Sequence, residues 1–407
     1  MTRRIASLVL SSLSLSLIAC GGDDAPLDDI DAATQDVDAG TSPGDDGGRS
    51  YRDAGPIVVP DPGACETWGL DDEGDAITGL EEGAWTFVPF PDAHCMNGSS
   101  TGIGVNLAPG GSNRLVIYLE GGGACFDAIT CSGVAGINGF DGDDLAGSSG
   151  QISTYGIFRR GDETNPLRGW NYVYVPYCTG DAHAGTHPEG FEGREQVGFH
   201  NVHEYLRRLV PTFRESELVL LTGASAGGLG AFANFDQVQQ AFGCTPVHML
   251  DDSGPVLDDE YLRPCLQSMA REYWGLAVPE DCTACSAEDG GGLSSVWTYL
   301  ALKYPDRRFG FLSSTADRTF RTFFGYGLSP RCNFPQSMSA AMFEEGVIDL
   351  RDRILAPHDN FHTFYQEGDF HTFVGRSLGS VSQDGTTLGA WIEQLIAGDE
   401  AWSNVGP

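Results

Sequence analysis

The segment Glu217-Leu218-Val219-Leu220-Leu221-Thr222-Gly223-Ala224-Ser225-Ala226-Gly227 decides the architecture of this chain. Its first half is a continuous apolar run that reads as a strand covered on both faces. Its second half fits Gly-x-Ser-x-Gly, the strained turn that lifts a serine hydroxyl above the end of a sheet as a helix begins. Small residues are required there because backbone meets backbone in the turn and leaves no room for branched side chains. Residues 228–242 suit the helix that should follow. In a chain with 55 glycines the pattern recurs, centred on Ser42, Ser100, Ser225 and Ser377. Ser42 lies in a polar leader, Ser100 in a polar loop and Ser377 beyond a later motif, whereas Ser225 follows a strand directly. A purely structural turn is the alternative reading of Ser225.

Working outward, residues 114–119, 172–175, 247–250 and 309–312 are similar short apolar runs, and 360–366 is strand-like. Between them, Val197, Val202, Tyr205, Leu206, Leu209 and Val210 recur at helical spacing, with Pro211 expected to close that helix. Strands alternating with helices predict an α/β fold with a mostly parallel, doubly wound sheet and helices on both faces. No internal repeat divides residues 64–407, which read as one domain. In such sheets the chemistry lies at the carboxyl ends of the strands.

A serine nucleophile needs a base, an orienting acid and an oxyanion hole. Glu120-Gly121-Gly122-Gly123-Ala124-Cys125 ends the strand 114–119, and the amides of Gly123 and Ala124, with that of Ala226, are the candidate oxyanion donors. A tight structural turn is the alternative for this glycine cluster. Of nine histidines, His371 in Gly368-Asp369-Phe370-His371-Thr372-Phe373 follows the last strand-like segment and is the candidate base. His362 within that segment reads as packed, His358 belongs to the turn before it, and His200 and His203 lie on the amphipathic helix. His183, in Cys178-Thr179-Gly180-Asp181-Ala182-His183, is placed to line the cleft. The acid should lie between serine and histidine: Asp317 fits, giving the order Ser225, Asp317, His371, and Asp252 after residues 247–250 is its rival.

Taken together, these motifs resemble the pectin acetylesterase and Notum family of serine carboxylesterases. The matches are Leu119-Glu-Gly-Gly-Gly-Ala-Cys125, Val175-Pro-Tyr-Cys-Thr-Gly-Asp181, Thr222-Gly-Ala-Ser-Ala-Gly-Gly228 and Gly368-Asp-Phe-His-Thr372, in family order across residues 110–375. The resemblance implies an α/β-hydrolase fold, deacylation through an acyl-serine, and no metal or organic cofactor. It implies Ser225, Asp317 and His371 as the triad, with Gly123, Ala124 and Ala226 as oxyanion donors, and a disulfide between Cys125 and Cys131. The family usually carries Trp where this chain has Ala124, so a bulky wall of the acyl pocket is lost while the backbone donor survives. The residues after Asp317 match the family poorly.

The 23 basic side chains oppose 57 acidic ones, a net charge of −34, with Lys303 the single lysine. Scattered arginines cannot form a phosphate-tracking surface, which excludes most nucleic-acid binders. Arg3 and Arg4, the apolar stretch 5–19 and Leu17-Ile18-Ala19-Cys20 predict a bacterial lipoprotein signal over residues 1–19 and a lipid anchor at Cys20. A plain secretory signal is the alternative, and the stretch is too short for a permanent span. Gly21 after the anchor points to the outer membrane. Residues 20–63, with eleven Asp, no Glu and few large apolar side chains, read as a disordered tether. Asp36-Val37-Asp38 faintly resembles a calcium loop, but no Glu closes it.

Ten cysteines remain besides Cys20, enough for up to five disulfides in an oxidising compartment. Cys282-Thr283-Ala284-Cys285 reads as a structural bridge rather than half a zinc or redox site. The expected function is an exported serine carboxylesterase that deacylates, and in particular deacetylates, a small or polymeric extracellular ester. Pectin is one candidate polymer. A polyester or lipid ester, or a catalytically silent surface-binding lipoprotein, are the alternatives. Residues 64–407 alone carry a net charge of −27, which opposes encounter with a polyanion such as pectin.

Overall fold

The computed structural model describes residues 57, 59 and 62–407, apart from 330 and 335. The expected signal 1–19, the anchor Cys20 and nearly all of the tether 20–63 lie outside the described residues. At the tether's end, Ile57 and Val59 pack against the core, so folding begins a few residues earlier than the boundary at 64. Among the described residues no helix is long and apolar enough to cross a membrane.

Along each central strand, alternate side chains enter two different apolar layers. In β5 (Leu218–Ala224), Val219 and Leu221 join one layer, and Leu218 and Leu220 the other. The same alternation holds in β3 (Arg114–Leu119), with Leu115, Ile117 and Leu119 on one side and Val116 and Tyr118 on the other. A strand buried on both faces reads as an unbroken apolar run, which is why these were legible. With β1 (Thr86–His94), β2 (Ser100–Asn106), β4 (Asn171–Val175), β6 (Val247–Asp252), β7 (Phe309–Ser314) and β8 (Phe361–Gln366) they form an eight-stranded sheet. Its order is β1-β2-β4-β3-β5-β6-β7-β8. β4, β3, β5, β6, β7 and β8 are parallel; β1 and β2 are antiparallel additions at one edge. Ser382–Gln383 (β9) and Thr386–Thr387 (β10) form a separate two-stranded ribbon.

The helices are α1 (Ala128–Ser132), α2 (Gly142–Thr154), α3 (Gly198–Thr212), α4 (Ala226–Ala241), α5 (Pro264–Trp274), α6 (Ser295–Lys303), α7 (Arg318–Phe324), α8 (Ala340–Asp349) and α9 (Leu388–Ala397). Side chains of α3, α4, α6 and α8 fill the larger layer, and those of α2 and α9 fill the opposite one. This is the doubly wound α/β-hydrolase layout expected from the sequence. Pro211 does not close α3; it sits inside the last turn. A proline there frees the carbonyl of Arg207, and the amide of Gly74 takes that carbonyl at 2.9 Å.

All ten described cysteines are paired, as Cys65–Cys244, Cys95–Cys178, Cys125–Cys131, Cys265–Cys332 and Cys282–Cys285. The pairing fits an exported protein, and the Cys125–Cys131 bridge implied by resemblance is present.

Gly147 sits exposed in the interior of α2, and a Cβ added there meets nothing within 4 Å. Gly147→Ala should therefore raise stability by about 0.5–1 kcal/mol, because it removes unfolded-state freedom without a clash. Urea unfolding of the purified variant checks this, and a lowered midpoint would contradict it.

Candidate active site

The site is assembled at the carboxyl ends of β3, β5, β7 and β8. At the end of β5 the chain turns sharply into α4, and Ser225 between them has φ 61° and ψ −120°. This left-handed conformation is costly for a side-chain-bearing residue and persists only when its surroundings hold it. They do so through backbone: the Ser225 amide donates to Asp252 O at 2.8 Å, and the Ser225 carbonyl accepts from Gly228 and Leu229. Close approach explains the flanking glycines. A Cβ on Gly223 would lie 2.1 Å from Gly227 O, and one on Gly227 would lie 1.9 Å from Leu119 O. The other serines with the same pattern are elsewhere: Ser100 opens β2, Ser377 donates to Asp162 at 2.6 Å, and Ser42 lies outside the described residues.

Beside the elbow runs the loop Gly121–Ala124, where Gly123 has φ 92°, a value that suits glycine. The amides of Gly123, Ala124 and Ala226 make no hydrogen bond among the described residues. Two of them are aimed by the carbonyls that precede them. Gly122 O accepts from the Ala135 amide at 2.8 Å and Gly123 O accepts from the Tyr177 hydroxyl at 2.9 Å. In a planar trans peptide the C=O and N–H point in opposite directions. The Gly123 and Ala124 amides are therefore turned away from Ala135 and Tyr177.

His371 follows β8 and presents Nδ1 to Asp317 Oδ2 at 2.8 Å. The backbone brings the two loops together: Thr315 donates to Gln366 O and Ala316 to Gly368 O, extending the β7–β8 pairing past the strand ends. Asp317 is fully buried and divides its oxygens, Oδ1 capping α7 through the amides of Thr319 and Phe320 and Oδ2 meeting the imidazole. The carboxylate oxygen only accepts, so Nδ1 carries the proton and Nε2 is left as an acceptor. The rival acid Asp252 is engaged elsewhere, accepting from the amides of Phe373 and Val374 and from the Ser253 hydroxyl.

His183 does not line the cleft. It is buried behind the glycine loop, with Nε2 donating to Glu120 O at 2.8 Å, and burial pulls its imidazole down to about 4. His362 packs edge-on against Trp402, as a core histidine does. Among the described residues, the one grouping with metal-ligand geometry is Cys65, Glu66 and Cys244, and its two sulfurs are bonded to each other.

Two cavities meet at Ser225. The first, about 140 Å³, is lined almost wholly by apolar side chains, among them Phe126, Leu229, Phe232, Leu266, Trp274, Val278 and Phe320, with Gln267 and Ser225 the polar exceptions. The second, about 520 Å³, is bounded by Tyr118, Tyr155, Tyr174, Glu120, Gln151, Thr372 and His371. Gly123 and Ser225 belong to both, and neither lining includes a Lys or Arg. Burial pushes the Glu120 carboxyl up, although the Tyr174 hydroxyl and the Tyr177 amide partly offset this.

The pectinacetylesterase family profile matches residues 84–283. Palmitoleoyl-protein carboxylesterase notum2 of Xenopus laevis is 30% identical over 211 residues, 46% of this chain and 42% of that protein. Pectin acetylesterase 4 of Arabidopsis thaliana is 31% identical over 155 residues, 35% of this chain and 36% of that protein. The chain thus spans about two fifths of the length of the curated relatives it matches. The structure of the Wnt deacylase Notum from Drosophila superposes with a TM-score of 0.58 and 17% identity, covering 80% of this chain and 96% of that one. The profile and these relatives support the pectin acetylesterase and Notum family for this chain. The matched span carries the glycine loop and Ser225, whereas Asp317 and His371 lie beyond residue 283.

Several features of the site were not legible beforehand. α5 supplies Leu266, Met269, Ala270 and Trp274 to the apolar cavity. Its ends were marked by Pro264 and by Gly275 in the left-handed conformation, but nothing in the sequence tells which layer its apolar face meets. Of the three tyrosines of the polar cavity, Tyr118 and Tyr174 lie on strands that read simply as core, and Tyr155 follows α2. At the elbow, Gly227→Ala must push backbone apart and should cost about 3 kcal/mol or more. A wild-type urea midpoint for this variant would contradict the close packing described.

Proposed function

We propose that this chain is an exported serine carboxylesterase in which Ser225 is the nucleophile, His371 the general base and Asp317 the acid that orients it. His371 Nε2 takes the Ser225 hydroxyl proton as Oγ attacks the ester carbonyl. The amides of Gly123, Ala124 and Ala226 hold the resulting oxyanion. Collapse expels the alcohol, which receives the proton from His371, and water then releases the acid from the acyl-serine by the same steps.

The observation that carries this reading is the meeting of one apolar and one polar cavity at a single strained serine. The apolar cavity suits the acyl chain and the tyrosine-lined cavity the alcohol. An apolar cavity of about 150 Å³ holds a six-carbon ring, so this one suits acyl groups of up to about six carbons. The acetyl group expected from the sequence would occupy only its entrance. Loss of the tryptophan wall at Ala124, which lines this cavity, is in keeping with the larger acyl group. The relatives' names point the same way in chemistry, to carboxylesterases and acetylesterases. The reading includes anchorage through a lipidated Cys20, with the acidic segment as a spacer from the membrane.

Purified protein should hydrolyse p-nitrophenyl hexanoate faster than the acetate. The gain in kcat/KM should be about fourfold per added methylene, since each buried CH2 contributes about 0.8 kcal/mol. Ser225→Ala should lower kcat by about 10⁴-fold or more and abolish labelling by a fluorophosphonate. Equal turnover of Ser225→Ala would end the serine reading, and no reaction with either reagent in the wild type would favour a silent binding protein. A strict preference for acetate would restore the acetylesterase reading.

A second expectation concerns the alcohol. With no cation lining the polar cavity and an acidic surface outside it, acetylated polygalacturonate should be a poorer substrate than acetylated xylan. Its turnover should rise as added salt screens the repulsion. Faster hydrolysis of polygalacturonate at low ionic strength would contradict this.

A further inference from the structure

Asp252, the acid that does not meet the imidazole, lies at the junction of the nucleophile and histidine loops. It ends β6 beside β5 and is fully buried. Its backbone carbonyl accepts from the Ser225 amide at 2.8 Å. Its Oδ2 accepts from the amides of Phe373 and Val374 at 2.7 and 2.8 Å, and its Oδ1 from the Ser253 hydroxyl at 2.9 Å. One residue thus binds the elbow through its main chain and the histidine loop through its side chain.

The histidine loop needs such a tie on this side. Ahead of His371, the loop is fastened to the end of β7 by Ala316 N to Gly368 O at 2.8 Å and by Ser314 Oγ to Phe370 O at 2.5 Å. Immediately behind His371, Thr372 has φ 68°, a conformation that a residue with a side chain keeps only when its neighbours hold it. The next two amides are the pair that Asp252 accepts.

We infer that Asp252 is a positioning residue: it holds the loop behind His371 against the Ser225 elbow and so fixes the imidazole relative to the hydroxyl. This rests on the reading of Ser225 and His371 as nucleophile and base. Burial raises the Asp252 carboxyl to about 6 while its two amide bonds draw it down. The adjacent Asp251, also buried, is pushed far above the usual carboxylate range, and its Oδ2 has no partner among the described residues. What Asp252 contributes is an acceptor in a fixed place. An amide oxygen supplies that equally well, because one carbonyl oxygen can accept both N–H groups.

The distinction sets the experiment, run on the full chain with p-nitrophenyl hexanoate. Asp252→Asn should keep kcat within about tenfold of wild type, since the acceptor is retained. Asp317→Asn should lose about 10⁴-fold, since the imidazole then takes the wrong tautomer. Asp252→Ala should lose about 10²-fold in kcat with KM unchanged, the loss expected of a base displaced by about an ångström. Asp252→Ser serves in the same way if the alanine variant does not accumulate in folded form. The downfield imidazole proton resonance should survive in Asp252→Asn and vanish in Asp317→Asn. An Asp252→Asn variant as inactive as Asp317→Asn would make Asp252 the charge partner and overturn the proposal. So would a folded Asp252→Ala or Asp252→Ser variant with wild-type kcat. If Ser225→Ala retains activity, the reading beneath the proposal falls with it, and that failure is recognisable because it does not depend on any change at Asp252.

Discussion

Backbone packed directly on backbone at the Ser225 elbow is the constraint on which the rest of the site depends. Gly227 lies so close to the Leu119 carbonyl, and Gly223 to Gly227, that no side chain fits between them. This contact joins the end of β3, the end of β5 and the start of α4 at one point. It sets the glycine loop beside the serine, and Gly123, Ala124 and Ala226 line the apolar cavity together with Ser225. It also makes Gly123 and Ser225 part of both cavities, so the apolar and polar chambers meet at Ser225.

Around this point three buried carboxylates organise loops. Asp181 accepts from the Thr179 hydroxyl and from the amides of His183 and Gly198; Asp252 accepts from Phe373 and Val374; Asp317 accepts from Thr319 and Phe320. Each is offset by amide donors rather than by a cation, a tolerable way to bury an acid. Part of the chain's net charge of −34 therefore belongs to the site's construction. Asp251, Asp258 and Asp259 are buried as well, and the acids that are exposed bear on which polymers approach.

The parallel strands were legible because both faces are covered, and the four motifs were legible because each ends such a strand. β1 and β2 were not anticipated: Pro89 and Pro91 in one, and Gly102 and Gly104 in the other, weaken a strand pattern, yet edge and antiparallel positions tolerate them. Asp317 and Asp252 looked alike because both end a strand near a serine. Only the extended β7–β8 pairing, a contact between residues some fifty positions apart, brings Asp317 to the ring. Disulfide partners were hidden for the same reason, as with Cys65 and Cys244, 179 residues apart. The apolar cavity draws on α4, α5 and α7, and its shape follows from their packing rather than from any local pattern.

In the proposed mechanism, Ser225 divides an acyl chamber from an alcohol chamber. The most direct measurement is a crystal structure of the protein inactivated with a p-nitrophenyl hexylphosphonate. The expected structure has phosphorus bonded to Ser225 Oγ, the phosphoryl oxygen on the amides of Gly123, Ala124 and Ala226, and the hexyl chain against Phe232 and Leu266. A hexyl chain among Tyr118, Tyr155 and Tyr174, or phosphorus bonded to another residue, would contradict it.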